Sequence, residues 1–245
     1  EGIQMKIVAD THTHTLASGH AYSTVLENIR AAQEAGLSFL CVTEHGPAMY
    51  DGPKQSFFSS LHTIPDVVEG VIVLKGAEVN VTGYNGELDL PEPLLSRLDW
   101  VIASCHGPVC PPATVREHTR GWIKIAENPN VDVIGHCGDG RYPFELEAVI
   151  RSFKEHGKIV EINAHSFQVR PGSAFNCRQI ARCCAKYDVP VVVSSDAHFC
   201  LNVGEVGEAV EMLEEIGFPE RLILNADYER FLEEARRRTG RRLTN

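Results

Sequence analysis

Apolar runs rich in β-branched residues alternate with amphipathic segments along almost the whole chain. Seven runs have the length and composition of buried strands: MKIVAD, SFLCVTEH, GVIVLKGAEVN, LDWVIASCH, VDVIGHCG, KIVEINAHS and VPVVVSSDAH. Four segments between them place apolar residues three and four positions apart, as helices do: STVLENIRAAQEAG, ATVREHTRGWIKIA, FELEAVIRSFKEHG and NCRQIARCCAKY. This alternation predicts an α/β fold of repeated strand and helix units around a parallel sheet.

Nearly every predicted strand ends, at its C-terminal side, in a side chain that can bind a metal ion. In chain order these side chains are His12 and His14, His45, Glu78, His106, His136, and Asp196 with His198. The sixth predicted strand ends instead in Asn163 and His165. In a closed βα barrel the C-terminal ends of all strands meet on one face, so these side chains are expected to converge there.

The spacing of these residues suits metal binding. Side chains alternate with a period of two along a strand, so His12 and His14 can share one ion, and Asp196 and His198 repeat that arrangement. With His20, seven histidines and two carboxylates are available, which exceeds the four ligands of a usual zinc site. We therefore expect two or three metal ions that share a bridging carboxylate. Imidazole-rich ligation favours Zn, Fe or Mn over Mg or Ca.

Length and charge limit the class of protein. The chain has 245 residues, enough for one large domain or two small ones, and the uninterrupted alternation favours one domain over residues 5–245. Residues 1–4 are interpreted as an N-terminal extension or an expression remnant. No apolar run is long enough for a membrane span and no secretion signal is recognisable, which predicts a soluble cytoplasmic protein. The formal net charge of −10 makes a nucleic acid partner unfavourable. A small anionic substrate would need the local positive charge that metal ions supply.

The residues at the strand ends resemble those of the PHP (polymerase and histidinol phosphatase) superfamily. The resemblance rests on HTH at 12–14, TEHG at 43–46, SDAH at 195–198 and the single ligands between them. The segments ASGHAYST, EHGPAM, NCRQIA and GEVGEAVEML are similar to the YcdX-type phosphatase branch. The resemblance covers essentially residues 5–240, and it implies a distorted seven-stranded βα barrel, related to the TIM barrel, with three metal ions.

The resemblance also implies how nine ligands divide among three ions. The first ligand set is His12, His14, Glu78 and Asp196; the second ligand set is Glu78, His106 and His136; the third ligand set is His20, His45 and His198. Two positions depart from the family pattern: Glu44 stands where Asp is usual, and His165 where Ser is frequent. Because Glu44 is one residue from a ligand, we expect it to point away from the metals, whereas His165 is expected to alter the substrate pocket.

Three further residues are candidates for roles around the metals. Asp10 precedes the first histidine by two, so it either orients His12 or is an ordinary carboxylate at a strand end. Arg170 is a candidate for holding phosphate oxygens, because guanidinium forms paired hydrogen bonds with them. His165 could protonate the leaving alkoxide, or could be a hydrogen-bonded loop residue. The irregular segment 50–65 is expected to form a loop over the site.

Together these features predict a metal-dependent phosphatase that hydrolyses a small phosphomonoester through a trinuclear cluster and metal-bound hydroxide. Zinc is the expected metal, with manganese or iron as alternatives. A phosphodiesterase or nuclease of the same superfamily and a non-catalytic, metal-stabilised domain remain as alternative functions. A homo-oligomer is compatible with the sequence.

Overall fold

The computed structural model describes residues 5–241 and residue 243, so the predicted extension at residues 1–4 lies outside the described residues. The strands are β1 (Ala9–Thr13), β2 (Phe39–Val42), β3 (Val67–Val68), β4 (Val71–Asn80), β5 (Trp100–Ser104), β6 (Val133–Ile134), β7 (Ile159–Asn163) and β8 (Val191–Ser194). The helices are α1 (Val25–Glu34), α2 (Gln55–Ser60), α3 (Glu92–Leu95), α4 (Val115–Glu127), α5 (Leu146–Glu155), α6 (Ser166–Val169), α7 (Ser173–Tyr187), α8 (Gly207–Glu215) and α9 (Tyr228–Thr239).

Seven of the strands form a nearly closed parallel barrel. Their order is β1-β2-β4-β5-β6-β7-β8, and the short β3 pairs antiparallel with β4 outside this path. The two ends of the order approach each other where the backbone N–H of His14 donates to the carbonyl of Ala197 at 2.8 Å. The predicted seven-stranded barrel is therefore confirmed, and β3 is an addition to it.

Asn225 fills the gap between β1 and β8 nearer the other end of the barrel. Its side-chain nitrogen donates to the carbonyls of Ala9 and Val193 at 2.8 and 2.6 Å, and its side-chain oxygen accepts from the backbone N–H of Val193 at 3.0 Å. The side chain is fully buried. One amide thus replaces the ladder hydrogen bonds that a closed barrel would have here.

The inside of the barrel is apolar at the N-terminal ends of the strands and polar at their C-terminal ends. Inward residues such as Phe39, Ile72 and Trp100 pack in one interior cluster, which also contains Phe231 and Leu232 of α9. The ring centroids of Phe39 and Phe231 lie 4.9 Å apart. The many charged residues of this helix suggest a solvated face, but its apolar face closes the base of the barrel. The polar end is left for the site.

The four amphipathic helices predicted from the sequence are present as α1, α4, α5 and α7. Both α1 and α4 begin with a capping box, in which Thr24 or Thr114 pairs with the Glu three residues later. The expectation of an irregular loop at 50–65 was wrong. Most of that segment is α2 and a following 3-10 turn (Leu61–Thr63), whose Phe58 and Leu61 are buried in the outer core.

Among the described residues, no helix has the length and apolar character needed to cross a membrane.

A candidate metal centre at the C-terminal ends of the strands

A register shift in β1 sets the direction of the first two histidines. Ala9 faces the barrel interior, so strict alternation would place His12 and His14 on the outer side. The pairing of β1 with β2 shifts between Asp10 and Thr13, and beyond this point His12 and His14 point inward. Such an irregularity re-aims side chains at the rim of a barrel.

The first ligand set forms a compact buried group. The Nε2 atoms of His12 and His14 are 3.0 Å apart, and they lie 3.5 and 3.2 Å from Asp196 Oδ1. Their distances to Glu78 Oε2 are 3.3 and 3.5 Å. Four ligand atoms about 2.1 Å from one tetrahedral zinc would lie about 3.4 Å apart, so these spacings match a single ion.

The second ligand set meets at the other oxygen of the same glutamate. Glu78 Oε1 lies 2.9 Å from His136 Nε2 and 3.3 Å from His106 Nε2, and the two imidazole nitrogens are 3.2 Å apart. One carboxylate therefore faces two groups of histidines, as a bridging ligand must. His136 has φ 26° and Asp196 has φ 55°, an uncommon backbone region for residues other than glycine. Two ligand positions thus carry backbone strain.

The third ligand set lies nearer the protein surface. His45 Nε2 and His20 Nε2 are 3.1 Å apart, and the ring centroids of His198 and His20 are 4.8 Å apart. His20 Nδ1 lies 2.7 Å from Asp51 Oδ2, so the other ring nitrogen is held toward His45. Asp51 belongs to the loop after β2 and lies at the start of the segment 50–65, which was expected to cover the site.

Several buried atoms of the candidate ligands make no hydrogen bond. Among the described residues these are His14 Nδ1, His45 Nδ1, Glu78 Oε2 and Asp196 Oδ1, although His45 Nδ1 lies only 2.7 Å from Glu78 Oε2. Unpaired buried polar atoms are costly, and bound cations would satisfy the lone pairs. The donor set therefore fits metal ions. In three groupings, one ligand atom from each residue lies within 4.8 Å of the others: His14 with His45 and His198, His12 with His14 and Asp196, and His45 with Glu78 and His106. Because these groupings share His14 and His45, the geometry brings the ligands together without assigning each to one ion.

Burial and neighbouring charges shift the pKa of several of these imidazoles. Burial, together with nearby His45 and His198, holds the pKa of His14 well below its usual value. Burial and the charge of Arg170 lower the pKa of His136 to about 4. Burial alone would lower the pKa of His12, but the carboxylates of Glu161 and Glu78 raise it well above the usual value. Neutral imidazoles keep the lone pair that metal binding requires.

Glu161, on β7, is the partner of His12. His12 Nδ1 lies 2.6 Å from Glu161 Oε1, and the glutamate is fully buried. Asp10 contacts His12 only through the His12 backbone N–H, at 3.4 Å, and does not reach the ring. Its carboxylate also accepts from the backbone N–H groups of Ser195 and Gly204 and thereby anchors the end of β8. The physical reason is the register shift, which puts Asp10 and His12 on different faces of β1.

Asparagines hold two more of the candidate ligands. Asn80 Oδ1 lies 2.8 Å from His106 Nδ1, and Asn163 Nδ2 donates to Asp196 Oδ2 at 3.1 Å. As expected from strand alternation, Glu44 points away from the cluster; it accepts from the Thr15 N–H at 3.1 Å and the Ser18 hydroxyl at 2.7 Å. Glu44 therefore secures the loop that carries His20.

A cavity of about 380 Å³ opens over the cluster. It is lined by His20, His45, Met49, His106, His165, Val169, Arg170 and His198. Both predicted catalytic candidates, His165 and Arg170, thus face the same space as the candidate ligands. Arg170 donates to Asp196 Oδ2 at 3.2 Å and to Ser166 Oγ at 2.8 Å, and its side chain is 12% exposed. Burial lowers the pKa of His165, whose ring lies 6.3 Å from that of His198.

Sequence reasoning missed Glu161 and Asp51 but not for the same reason. Glu161 carried a signal, because a charged residue inside the apolar run KIVEIN must have a partner if the strand is buried. Asp51 follows no strand and belongs to no periodic pattern. Only the folded loop after β2 brings it beside His20.

Comparison with known proteins places these features in a family. A model of the PHP domain matches residues 10–165, and a model of the PHP-associated region matches residues 175–238. The chain is 45% identical, over 97% of its length and 98% of the relative, to a probable phosphatase of Acetivibrio thermocellus. Identity is also 45% to a probable phosphatase of Caldanaerobacter subterraneus subsp. tengcongensis, with coverage of 97% and 96%.

Among solved structures, the chain is similar to histidinol phosphate phosphatase from Lactococcus lactis, crystallised with zinc, L-histidinol and phosphate. The TM-score is 0.61 at 16% sequence identity, over 86% of this chain and 94% of the other. At this identity the likeness supports the fold.

Proposed function

Because the chain belongs to the PHP domain family, we propose that it is a metal-dependent phosphatase that hydrolyses a small phosphomonoester on three divalent metal ions. The observation that carries this proposal is the convergence of seven histidines and two carboxylates under one open cavity. Relatives that cover nearly the whole chain are named as probable phosphatases, which supports the reaction class.

The ions would be held by the three ligand sets defined above, with Glu78 as the bridge between the first two. Zinc is the proposed metal, with manganese or iron as alternatives, because imidazoles dominate the donors. When bound, the ions supply Lewis acidity at phosphoryl oxygens and lower the pKa of a water molecule.

The remaining steps belong to the side chains that line the cavity. The Arg170 guanidinium offers charged N–H donors to phosphate oxygens beside Asp196. His165 is neutral in the free protein because burial lowers its pKa, and a phosphate dianion in the cavity would raise that pKa again. The proton gained there is then available to the leaving oxygen.

The charge balance of the molecule supports a small anionic substrate. The formal charge of −10 disfavours an extended polyanion such as a nucleic acid on the outer surface. Inside the cavity the lining carries histidines and Arg170, and the carboxylates lie beneath them. We further infer that residues 5–245 act as one barrel domain, since α9 closes the base of the barrel that begins with β1.

The direct test of the proposal replaces His45, which lies 2.7 Å from Glu78 Oε2 and 3.1 Å from His20 Nε2. The His45→Ala variant is expected to lose one bound ion, and its rate of phosphate release should fall at least about a hundredfold. Loss of a residue that only supports a metal ligand costs about 10- to 100-fold, and loss of the ligand itself should cost more. Metal analysis and phosphate release would be measured on the same folded sample.

His62→Ala is the matched control, because His62 is exposed and does not line the cavity. It should retain both the metal content and the activity. Unchanged turnover in His45→Ala would refute the proposal. A labelled oligonucleotide shortened faster than a phosphomonoester is hydrolysed would favour a diesterase. Unfolding on chelation, with no turnover of any phosphoester, would favour a structural role for the metals.

A further inference from the structure

Strand β7 contributes none of the nine candidate ligands. Its inward-facing residue Glu161, however, contacts two of them, His12 and His136. The glutamate is fully buried and accepts four hydrogen bonds. Its Oε1 lies 2.6 Å from His12 Nδ1 and accepts from the Ser194 hydroxyl at 2.7 Å. Its Oε2 accepts from the backbone N–H of His136 at 2.7 Å and from Asn163 Nδ2 at 3.4 Å.

These contacts join two ligand sets. His12 belongs to the first set and is reached through its ring, which leaves Nε2 directed at Glu78 and Asp196. His136 belongs to the second set and is reached through its backbone, at a residue with φ 26°. A hydrogen bond to that backbone N–H helps to hold the strained conformation that aims the His136 ring at Glu78.

We infer that Glu161 is a positioning residue that fixes the relative geometry of the first and second metal sites and binds neither metal itself. The inference rests on the three-metal site proposed above. By accepting from Nδ1, Glu161 selects the His12 tautomer whose Nε2 lone pair is free for a metal. By accepting from the His136 N–H, the same carboxylate sets the second imidazole at a defined distance from the first.

The third ligand set provides an internal reference. None of His20, His45 and His198 contacts Glu161 within the described part of the chain; His20 is held by Asp51 instead. A change at Glu161 should therefore weaken two of the three sites and spare the third.

The test is the Glu161→Gln variant, which keeps the size of the side chain. Each carboxylate oxygen accepts from two donors, so the amide group of Gln would turn its own N–H donors toward two of them. We expect zinc titration with a competing chelating dye to give two sites at least about tenfold weaker than in the wild type and one site unchanged. Equilibrium dialysis with elemental analysis should then give one tightly bound ion instead of three.

Asp132→Asn is the matched control. Asp132 is a largely buried carboxylate at the base of the barrel, where it accepts from the backbone N–H of Val101 at 2.8 Å and pairs with Arg238. Its replacement should lower stability and leave all three zinc affinities unchanged. Equal affinities in wild type and Glu161→Gln, or an equal loss at all three sites, would overturn the inference.

A second measurement uses the wild-type protein, so it does not depend on whether a variant folds. Nitrogen NMR of the zinc-bound protein, with the His12 ring assigned by through-bond correlation to its own backbone, reports which ring nitrogen carries the proton. Protonated Nδ1 with a metal-shifted Nε2 is expected, and a metal-shifted Nδ1 would overturn the inference. Both measurements report binding alone, so three zinc sites without phosphatase activity would contradict the proposed function and leave this inference standing.

Discussion

At the scale of single residues, the Arg170 guanidinium can pair with two anions, the Asp196 carboxylate and a substrate phosphate. Both of its terminal nitrogens lie 3.2 Å from Asp196 Oδ2, on the side of that carboxylate away from His14. The same guanidinium lines the cavity over the cluster. A residue that only held Asp196 would affect metal binding, whereas one that also held phosphate would affect substrate binding. These two roles are separable by experiment.

The Arg170→Gln variant should bind phosphate and substrate more weakly while it retains its metal ions. A charge-assisted hydrogen bond contributes about 1.5–3 kcal/mol, which corresponds to a loss of about 10- to 150-fold in kcat/KM. The inhibition constant of inorganic phosphate should rise in parallel, and elemental analysis should find the metal content of the wild type.

Arg178→Gln is the control for the loss of an arginine, because Arg178 is paired with Glu215 on the outer surface and does not line the cavity. It should leave the kinetics unchanged. Loss of metal from Arg170→Gln, with an unchanged inhibition constant for phosphate in the metal-replete variant, would restrict Arg170 to supporting Asp196.

At the scale of elements, the strands were predictable and their irregularities were not. Buried parallel strands are continuous apolar runs, so the seven strands and their polar C-terminal ends can be read from the sequence. The register shift within β1 could not be predicted from the sequence, and because of it Asp10 contacts the backbone of His12 and not its ring. The sequence does not indicate that one face of α9 is buried, because most residues around Phe231 and Leu232 are charged.

Near the base of the barrel, the side chain of Asn225 bridges β1 and β8. Asn225→Ala would leave three buried backbone groups, on Ala9 and Val193, without their partner. Each unsatisfied group costs about 1–3 kcal/mol, partly relieved by relaxation, so the free energy of unfolding should fall by about 2–4 kcal/mol. Urea unfolding of the metal-bound protein measures this change.

Asn202→Ala provides the comparison, since Asn202 is exposed and its side chain makes no hydrogen bond within the described residues. It should unfold at the wild-type urea concentration. A wild-type midpoint for Asn225→Ala would mean that β1 and β8 are held together by other contacts.

At the scale of the whole molecule, the fold brings together candidate ligands that the sequence spreads over nearly 190 positions, from His12 to His198. The chain carries a formal charge of −10, yet its nine candidate ligands converge at one end of the barrel. Barrel topology made that convergence predictable, because every parallel strand ends on the same face. The groups that orient the ligands, such as Glu161 and Asp51, were not predictable, because their partners lie on other strands or loops.

The central claim is that this cluster binds metal ions in order to hydrolyse phosphomonoesters. The most direct measurement is phosphate release from a panel of small phosphomonoesters, with zinc- or manganese-reconstituted protein compared with chelator-stripped protein and the bound metal counted in each sample. The account predicts release that requires metal, returns on reconstitution and reaches its maximum at three ions per chain. Full metal content with no release from any phosphomonoester would contradict it.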